Sequence, residues 1–245
     1  MKGIILAGGL GTRLHPLTLI TNKHLLPVYD KPMIYYPIQM LVNAGIKEIM
    51  VVTGGNNAGD FLRLIGNGRQ FGLKHMNYGY QDGEGGIADA LKICEEFVGR
   101  DRLVVALGDN IIEKNIRAET QAFRAQEKGA RILLTKVKNP REYGIADVKN
   151  GKITRLIEKP LKPRSNLAVT GIYFYSNDVF DIIRKLKPSK RGELEITDVN
   201  NAYLKKGELK YSILNGWWQD CGESIDTLLE ANNYVKKHGA NKRGA

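Results

Sequence analysis

Apolar and polar positions fall in short blocks along this 245-residue chain. Residues 3–7 (GIILA) are apolar without interruption, the pattern of a strand buried on both faces. A glycine-rich polar segment follows. Residues 31–42 then show helical spacing, with Pro32 suited to a first turn and Gly45 to a stop. Further along, the pattern predicts a strand at 46–53, a helix at 58–65, a strand at 73–80, a glycine-rich loop at 83–86 and an amphipathic helix at 87–97. A strand at 103–107, a helix at 116–127 and a strand at 132–137 complete the first half. Strands alternating with helices at this spacing imply βαβ units and an α/β fold with a mixed, mostly parallel central sheet flanked by helices. Ligands of such sheets lie beyond the carboxyl ends of the strands. The loops after residues 7, 80 and 107 all fall at such ends.

After about residue 140 the texture changes. Strands at 145–148 and 153–158 flank Asn150-Gly151, a hairpin signal. A strand at 168–175, helices at 178–186 and 196–205, a strand at 209–214 and a closing helix at 224–236, capped by Ser224, follow. With no linker, low-complexity stretch or repeat, the expectation is one domain, 1–245. Its part from about 141 extends the sheet and closes one side of a cleft.

Composition narrows the partners. With 42% hydrophobic and 26% charged residues the chain resembles an ordinary soluble protein. No apolar run of membrane-spanning length occurs, so no membrane association is expected. Residues 1–7 lead straight into a strand and leave no room for a signal peptide. Cys94 and Cys221 form no paired motif, consistent with a reducing cytoplasm. The net charge of +11 favours anionic partners. The basic residues are dispersed, so nucleic acid is not the expected partner, and the locally basic end, 236–243, reads as a fraying tail.

The segment Gly8-Gly9-Leu10-Gly11-Thr12-Arg13 carries the first chemistry. Its glycines let backbone N–H groups approach an anion, Thr12 adds a hydroxyl and Arg13 a planar cation, a set that suits a triphosphate. A plain strand-to-helix turn has the same glycine content. The dinucleotide fingerprint is excluded because Leu14 stands where its third glycine belongs, and no Gly-Lys-Ser/Thr follows to make a P-loop.

Asp109 ends an apolar strand and Asp220 follows Trp217-Trp218. Carboxylates at strand ends beside a phosphate loop can hold Mg²⁺, although an aspartate there is also a common turn residue. Lys23, between a polar turn and the apolar run Leu25-Leu26, fits either a cleft or a solvated surface. Glu158-Lys159-Pro160 closes a strand. The proline implies an extended Lys159, with Glu158 and Lys159 on opposite sides, as sugar and phosphate contacts or as a surface ion pair. His15, His24, His75 and His238 have no nucleophile motif beside them. Transfer to an existing phosphate needs no covalent step, since that nucleophile is already ionised.

The loop through Thr18, the segment KHLLPVYDKPMIYYP at 23–37, LGDN at 107–110, Tyr143-Gly144, Glu158-Lys159-Pro160, AVTGIYFY at 168–175 and RGELEITD at 191–198 together closely resemble the glucose-1-phosphate thymidylyltransferases, over nearly the whole chain. The resemblance implies a Rossmann-like nucleotidyltransferase fold, with a nucleotide-binding part at about 1–140 and a sugar-binding part at about 141–245. It implies conversion of dTTP and α-D-glucose 1-phosphate to dTDP-glucose and pyrophosphate with Mg²⁺, the first step of dTDP-sugar biosynthesis of the dTDP-rhamnose type. By this match Gly8, Gly11, Thr12, Arg13 and Lys23 hold the triphosphate, and Gln81 and Gly86 read the thymine. Asp109 and Asp220 bind the metal. Asn110, Tyr143, Gly144, Glu158 and Val169 line the sugar pocket, and Lys159 and Arg191 meet the sugar phosphate. Arg13, Lys23, Asp109, Lys159 and Asp220 form the catalytic set. A cytoplasmic homo-oligomer is also implied.

The chain departs from the family pattern at several points. His24 stands where glutamine is common, and Cys221 where threonine is usual. The base-reading loop, commonly Gln-Pro-Ser-Pro-Asp-Gly-Leu-Ala-Gln-Ala, is here QDGEGGIADA at 81–90. The chain stops soon after its closing helix, whereas longer relatives carry a helical tail that builds their oligomer and an inhibitor site. The altered loop leaves open a uridylyl- or cytidylyltransferase. A non-catalytic regulatory subunit is a different class, opposed by the joint presence of Arg13, Lys23, Asp109, Lys159 and Asp220.

Overall fold

The structure, a computed structural model, describes residues 1–55 and 57–242. Its centre is a nine-stranded sheet. Strands β1 (Lys2–Ala7), β4 (Ile49–Gly54), β5 (Met76–Gln81) and β6 (Leu103–Leu107) lie in the order β6-β1-β4-β5, all parallel. Of these, β1, β4 and β6 are apolar runs read from the sequence, whereas β5, at the sheet edge, buries only Met76 and Gln81 fully. In β1, Ile4 and Leu6 enter one core layer while Ile5 and Ala7 enter the layer on the opposite face. In β6, Leu103 and Val105 alternate with Val104 and Ala106 in the same way. Burial on both faces is why these strands carry no polar alternation.

Beyond β6 the sheet turns antiparallel. Strand β11 (Leu167–Tyr175) pairs with β6, with β8 (Ala130–Lys136) and, at Ala168, with β9 (Gly144–Lys149). Strands β9 and β10 (Lys152–Glu158) form the predicted hairpin, with Asn150 at φ 51°. Strand β12 (Leu209–Ile213) runs parallel to β8. The mixed sheet expected from the sequence is therefore present, with its block of four parallel strands running from the interior strand β6 to the edge strand β5.

Helices α1 (Tyr35–Asn43), α2 (Ala58–Ile65), α3 (Ile87–Lys92), α4 (Glu95–Val98), α5 (Arg117–Arg124), α6 (Val179–Ile183), α7 (Ile196–Lys205) and α8 (Ile225–His238) surround the sheet. Helix α1 starts later than the predicted residue 31, because Lys31 and Pro32 pair with Pro27 and Val28 as a small ribbon, β2 and β3. The helix predicted at 87–97 breaks into α3 and α4. Helix α8 begins in a capping box in which Ser224 and Thr227 satisfy each other's backbone N–H.

Two three-residue strands escaped the sequence reading: β7 (Asn110–Ile112) and β13 (Trp218–Asp220), paired antiparallel. Leu228, Ala231 and Val235 of α8 pack behind them against Ile111 and Cys221. The basic end is not a fraying tail as far as Lys242. Asn241 and Lys242 donate backbone hydrogen bonds to Ile112 (3.0 Å) and Glu113 (2.7 Å). Arg243, also assigned to that tail, lies outside the described residues. No helix among the described residues is long and apolar enough to cross a membrane.

Candidate active site

The carboxyl ends of β1, β5 and β6 open onto one cleft of about 380 Å³. Gly8 and Gly9 follow β1, Gln81 ends β5, and Asp109 follows β6. The opposite wall comes from the second half of the chain: Tyr143, Gly144, Glu158, Lys159, Val169, Arg191 and Asp220. The loops named in the sequence thus converge. Gly11 and Thr12 do not line the cleft; Gly11, at φ 67°, starts the single 3-10 turn that carries Arg13 into it.

The electrostatic centre is formed by Lys23, Asp109 and Asp220. Lys23 Nζ donates to Asp109 Oδ2 at 2.5 Å, with the two side chains only 13% and 8% exposed. Burial opposes the charge on Lys23, but the carboxylates of Asp109 and Asp220 outweigh it and raise its pKa. Burial likewise opposes the charge on Asp109, yet Lys23 holds that carboxyl well below the usual carboxylate range. Asp220 makes no ion pair as close as that among the described residues, although the Lys23 charge reaches it. Burial and then the Asp109 charge push its pKa upward. Its Oδ1 accepts from the Gly222 N–H at 2.9 Å.

The ribbon β7-β13 is what sets these acids side by side. Asp220 lies opposite Asn110 in register, and the Cys221 N–H donates to the Asp109 carbonyl at 2.9 Å. Asn110 is fully committed to this geometry. Its Nδ2 donates to Asp109 Oδ1 (3.0 Å), and its Oδ1 accepts from Trp218 Nε1 (2.7 Å) and the Gly171 N–H (3.0 Å). The Gly171 contact falls where β11 breaks register between Val169 and Tyr173.

Among the described residues no group of three or more His, Cys, Asp or Glu side chains converges as a metal cage. Two carboxylates still fit Mg²⁺, which keeps waters and takes substrate phosphates as its other ligands. Burial and the neighbouring Asp109 charge disfavour the Asp220 anion, a cost that a divalent cation would offset. The space beside the acids is also kept clear: a Cβ on Gly222 would lie 2.5 Å from Asp109 Oδ2.

His24, one residue from Lys23, is buried and neutral. Burial and then the Lys23 cation lower its pKa to about 3. Asn22 Oδ1 accepts from the His24 backbone N–H (3.0 Å) and lies 2.7 Å from Nδ1. Nδ1 therefore carries the proton, and Nε2 faces Asp109 at 3.9 Å.

The wall from the second half of the chain differs from expectation in one respect. Lys159 is not extended. Its φ is 42°, and both Glu158 and Lys159 face the cleft rather than opposite sides. The Lys159 N–H donates to the Tyr143 carbonyl at 3.1 Å, and this closure of the β9-β10 end overrides the extended preference before Pro160. Glu158 Oε2 accepts from Thr197 Oγ1 at 2.6 Å. Tyr143 donates to Glu223, tying the β9 edge to the start of α8. Arg191 is engaged by acids, with Nη2 2.8 Å from Glu195 Oε2 and 3.4 Å from Glu193. Its loop packs on Gly86, which stands at φ 91° with room for no Cβ, since one would approach the Leu194 carbonyl to 2.8 Å. Thr197, Glu223 and Trp218 gave no signal in the sequence as site residues, because each acts through a partner far along the chain.

A family model described as nucleotidyl transferase matches residues 2–238. The chain belongs to that family. It is 45% identical over 96% of its length to a glucose-1-phosphate thymidylyltransferase of Neisseria meningitidis, covering 83% of that protein. It is also 45% identical to one of Mycolicibacterium smegmatis, of which it covers 82%. A crystal structure from Bacillus anthracis, assigned as a glucose-1-phosphate thymidylyltransferase in complex with a sucrose, superposes with a TM-score of 0.92 at 49% identity, covering all of this chain and 98% of that one. A UDP-glucose pyrophosphorylase complexed with UDP-glucose superposes at 0.82 with 26% identity, covering 96% of this chain and 98% of that one. The resemblance read from the motifs is borne out, and the chain is a nucleotidyltransferase enzyme.

Proposed function

We propose that this nucleotidyltransferase joins dTTP to α-D-glucose 1-phosphate, giving dTDP-glucose and pyrophosphate as the first step of dTDP-sugar biosynthesis of the dTDP-rhamnose type. The observation that carries the reading is the convergence, in one cleft, of Arg13 and Lys23 on the β1 side with Lys159 on the sugar side, around the Asp109-Asp220 pair. Three cations there suit two phosphorylated substrates, and their names in the relatives support which two. A phosphate oxygen of glucose 1-phosphate attacks the α-phosphorus. That new P–O bond forms as the bond to the β-phosphate oxygen breaks, and the electron pair leaves with pyrophosphate.

Asp109 and Asp220 would hold Mg²⁺, which supplies charge neutralisation at the reacting phosphates. Lys23 and Asn110 hold Asp109 in place. Gly8, Gly11 and Thr12 set the loop that presents Arg13 to the triphosphate. Gln81 and Gly86 read the base. Glu158, fixed by Thr197, accepts a sugar hydroxyl between Tyr143, Gly144 and Val169, and Lys159 and Arg191 meet the sugar phosphate. No side chain need act as a nucleophile, so positioning and charge do the catalysis.

The test is pyrophosphate release from glucose 1-phosphate with dTTP, UTP, CTP, GTP and ATP in turn, with Mg²⁺. The highest kcat/KM is expected with dTTP, and no release with any of them would overturn the reading. Lys159→Ala is expected to raise KM for glucose 1-phosphate about ten- to hundredfold, the size of one charge-assisted phosphate contact, and to leave KM for dTTP within a few-fold. Equal rises for both substrates would remove Lys159 from the sugar side.

A further inference from the structure

Gln81, buried at the end of β5, reaches the cleft with an amide whose orientation is determined by its neighbours. Its Nε2 donates to Asp89 Oδ2 at 2.8 Å and to the Gly86 carbonyl at 3.2 Å. Both partners can only accept, so the NH₂ end must face them and the carbonyl end must face away. Oε1 then lies in the cleft wall beside Gly8, at 3.4 Å from where a Cβ on that residue would stand. No hydrogen bond to Oε1 forms among the described residues, which leaves an acceptor facing the cleft.

We infer that Asp89, one helical turn beyond the loop, sets the base preference of this enzyme by locking the Gln81 amide with its carbonyl toward the nucleotide, selecting a pyrimidine that offers a ring N–H. The inference rests on the proposed reading of Gln81 as a base contact. Thymine and uracil carry a proton on N3 and donate to such a carbonyl. Cytosine carries a lone pair on N3 and needs a donor there. Turning the amide over would serve cytosine, but it would bring Oε1 against the Asp89 carboxylate and the Gly86 carbonyl, three acceptors with no proton among them.

The local chain is shaped to hold this carboxylate. A Cβ on Gly85 would lie 2.3 Å from Asp89 Oδ2 and 2.5 Å from its Cγ, so the carboxylate occupies the space a side chain at position 85 would fill. The Gly85 carbonyl in turn accepts from the Leu194 N–H at 2.8 Å, and the Ala88 N–H donates to the Leu194 carbonyl at 3.2 Å. The loop ahead of α3 is thereby clamped on the segment before α7. Asp89 touches Gln81 and not the nucleotide, so it is a positioning residue.

The experiment measures Kd by calorimetry for dTTP, dUTP and dCTP on the full chain, with kcat/KM alongside. The wild type is expected to bind dTTP and dUTP at least about tenfold more tightly than dCTP. Asp89→Asn offers either a donor or an acceptor to Gln81, and Asp89→Ala offers neither. Both are expected to shrink the dTTP-to-dCTP ratio about tenfold, mainly by improving dCTP, with KM for glucose 1-phosphate and the melting temperature little changed. A merely structural role would weaken all three nucleotides alike. That result in both variants would overturn the role of Asp89 while leaving Gln81 as a base contact. Equal wild-type affinity for dTTP and dCTP would overturn the inference together with base reading by Gln81, while pyrophosphate release from dTTP would still uphold the transfer reaction.

Discussion

Asp109→Asn is expected to lower kcat on the order of a thousandfold and to cost thermal stability, whereas Asp220→Asn lowers kcat comparably without that cost. Both changes remove a charge from the carboxylate pair at nearly constant shape. On the proposed metal role, the rate effect follows from losing a ligand of the cation that would neutralise the reacting phosphates, a contribution of several kcal/mol. The two differ in what they leave behind. Asp109 is the partner of a largely buried Lys23 at 2.5 Å. Removing one member of such a pair leaves an uncompensated charge and costs about 3–5 kcal/mol. For a chain of this size that is a melting temperature lower by roughly 10 °C. Asp220 is instead disfavoured as an anion by burial and by the charge of Asp109. A neutral amide removes that repulsion, so Asp220→Asn is expected to melt at or above the wild-type temperature in chelator. Steady-state rates in saturating Mg²⁺ and calorimetric melting in EDTA read the two effects separately. Near-wild-type turnover in both variants would remove the metal assignment. Equal melting of the two variants would contradict the ion-pair account.

The sheet was legible because its central strands are buried on both faces, so their apolar runs are unbroken and bounded by glycines. Part of the candidate site was legible for a related reason: Gly8 and Asp109 sit directly on those strand ends and Arg13 one short 3-10 turn beyond, where sequence position and spatial position coincide. What the pattern could not carry was the machinery that aligns the acids. Strands β7 and β13 are three residues each, too short for a period, and they pair across more than a hundred residues of chain. Trp218, Thr197 and Glu223 act through partners 108, 39 and 80 residues away. The errors have local causes. The proline rule for Lys159 yielded to a hydrogen bond from its own N–H to Tyr143, and the basic end was held through Lys242 by backbone pairing that a charge count does not register. At positions 81–90 the motif reads only as an altered loop. The contact of Asp89 with Gln81 became visible once β5 and α3 were placed together.

Arg13→Lys is expected to lower kcat a few hundredfold while changing dTTP binding only a few-fold. Arg13 rides on a single 3-10 turn whose start is Gly11 in the left-handed region, so the backbone presents it at the cleft without help from a long element. It stands close enough to Lys23 and Asp220 for its charge to oppose, as a minor contribution, the upward shift of both. A cation so near another cation is placed for a polyanion. On the proposed reading the triphosphate in the ground state would have other support from the loop's backbone N–H groups and Lys23, so one contact would change affinity little. As the bond to the leaving group breaks, negative charge grows on the pyrophosphate oxygens. A planar guanidinium can hold two of those oxygens at once, a geometry an ammonium cannot match. Arg13 therefore stabilises the transition state more than the bound substrate. A loss of about 3–4 kcal/mol, the size of one preorganised donor to developing charge, corresponds to a rate drop of several hundredfold. It should appear equally in kcat and kcat/KM, measured with both substrates varied. Full turnover with a raised KM for dTTP alone would make Arg13 a binding residue and place the stabilisation of the leaving group elsewhere.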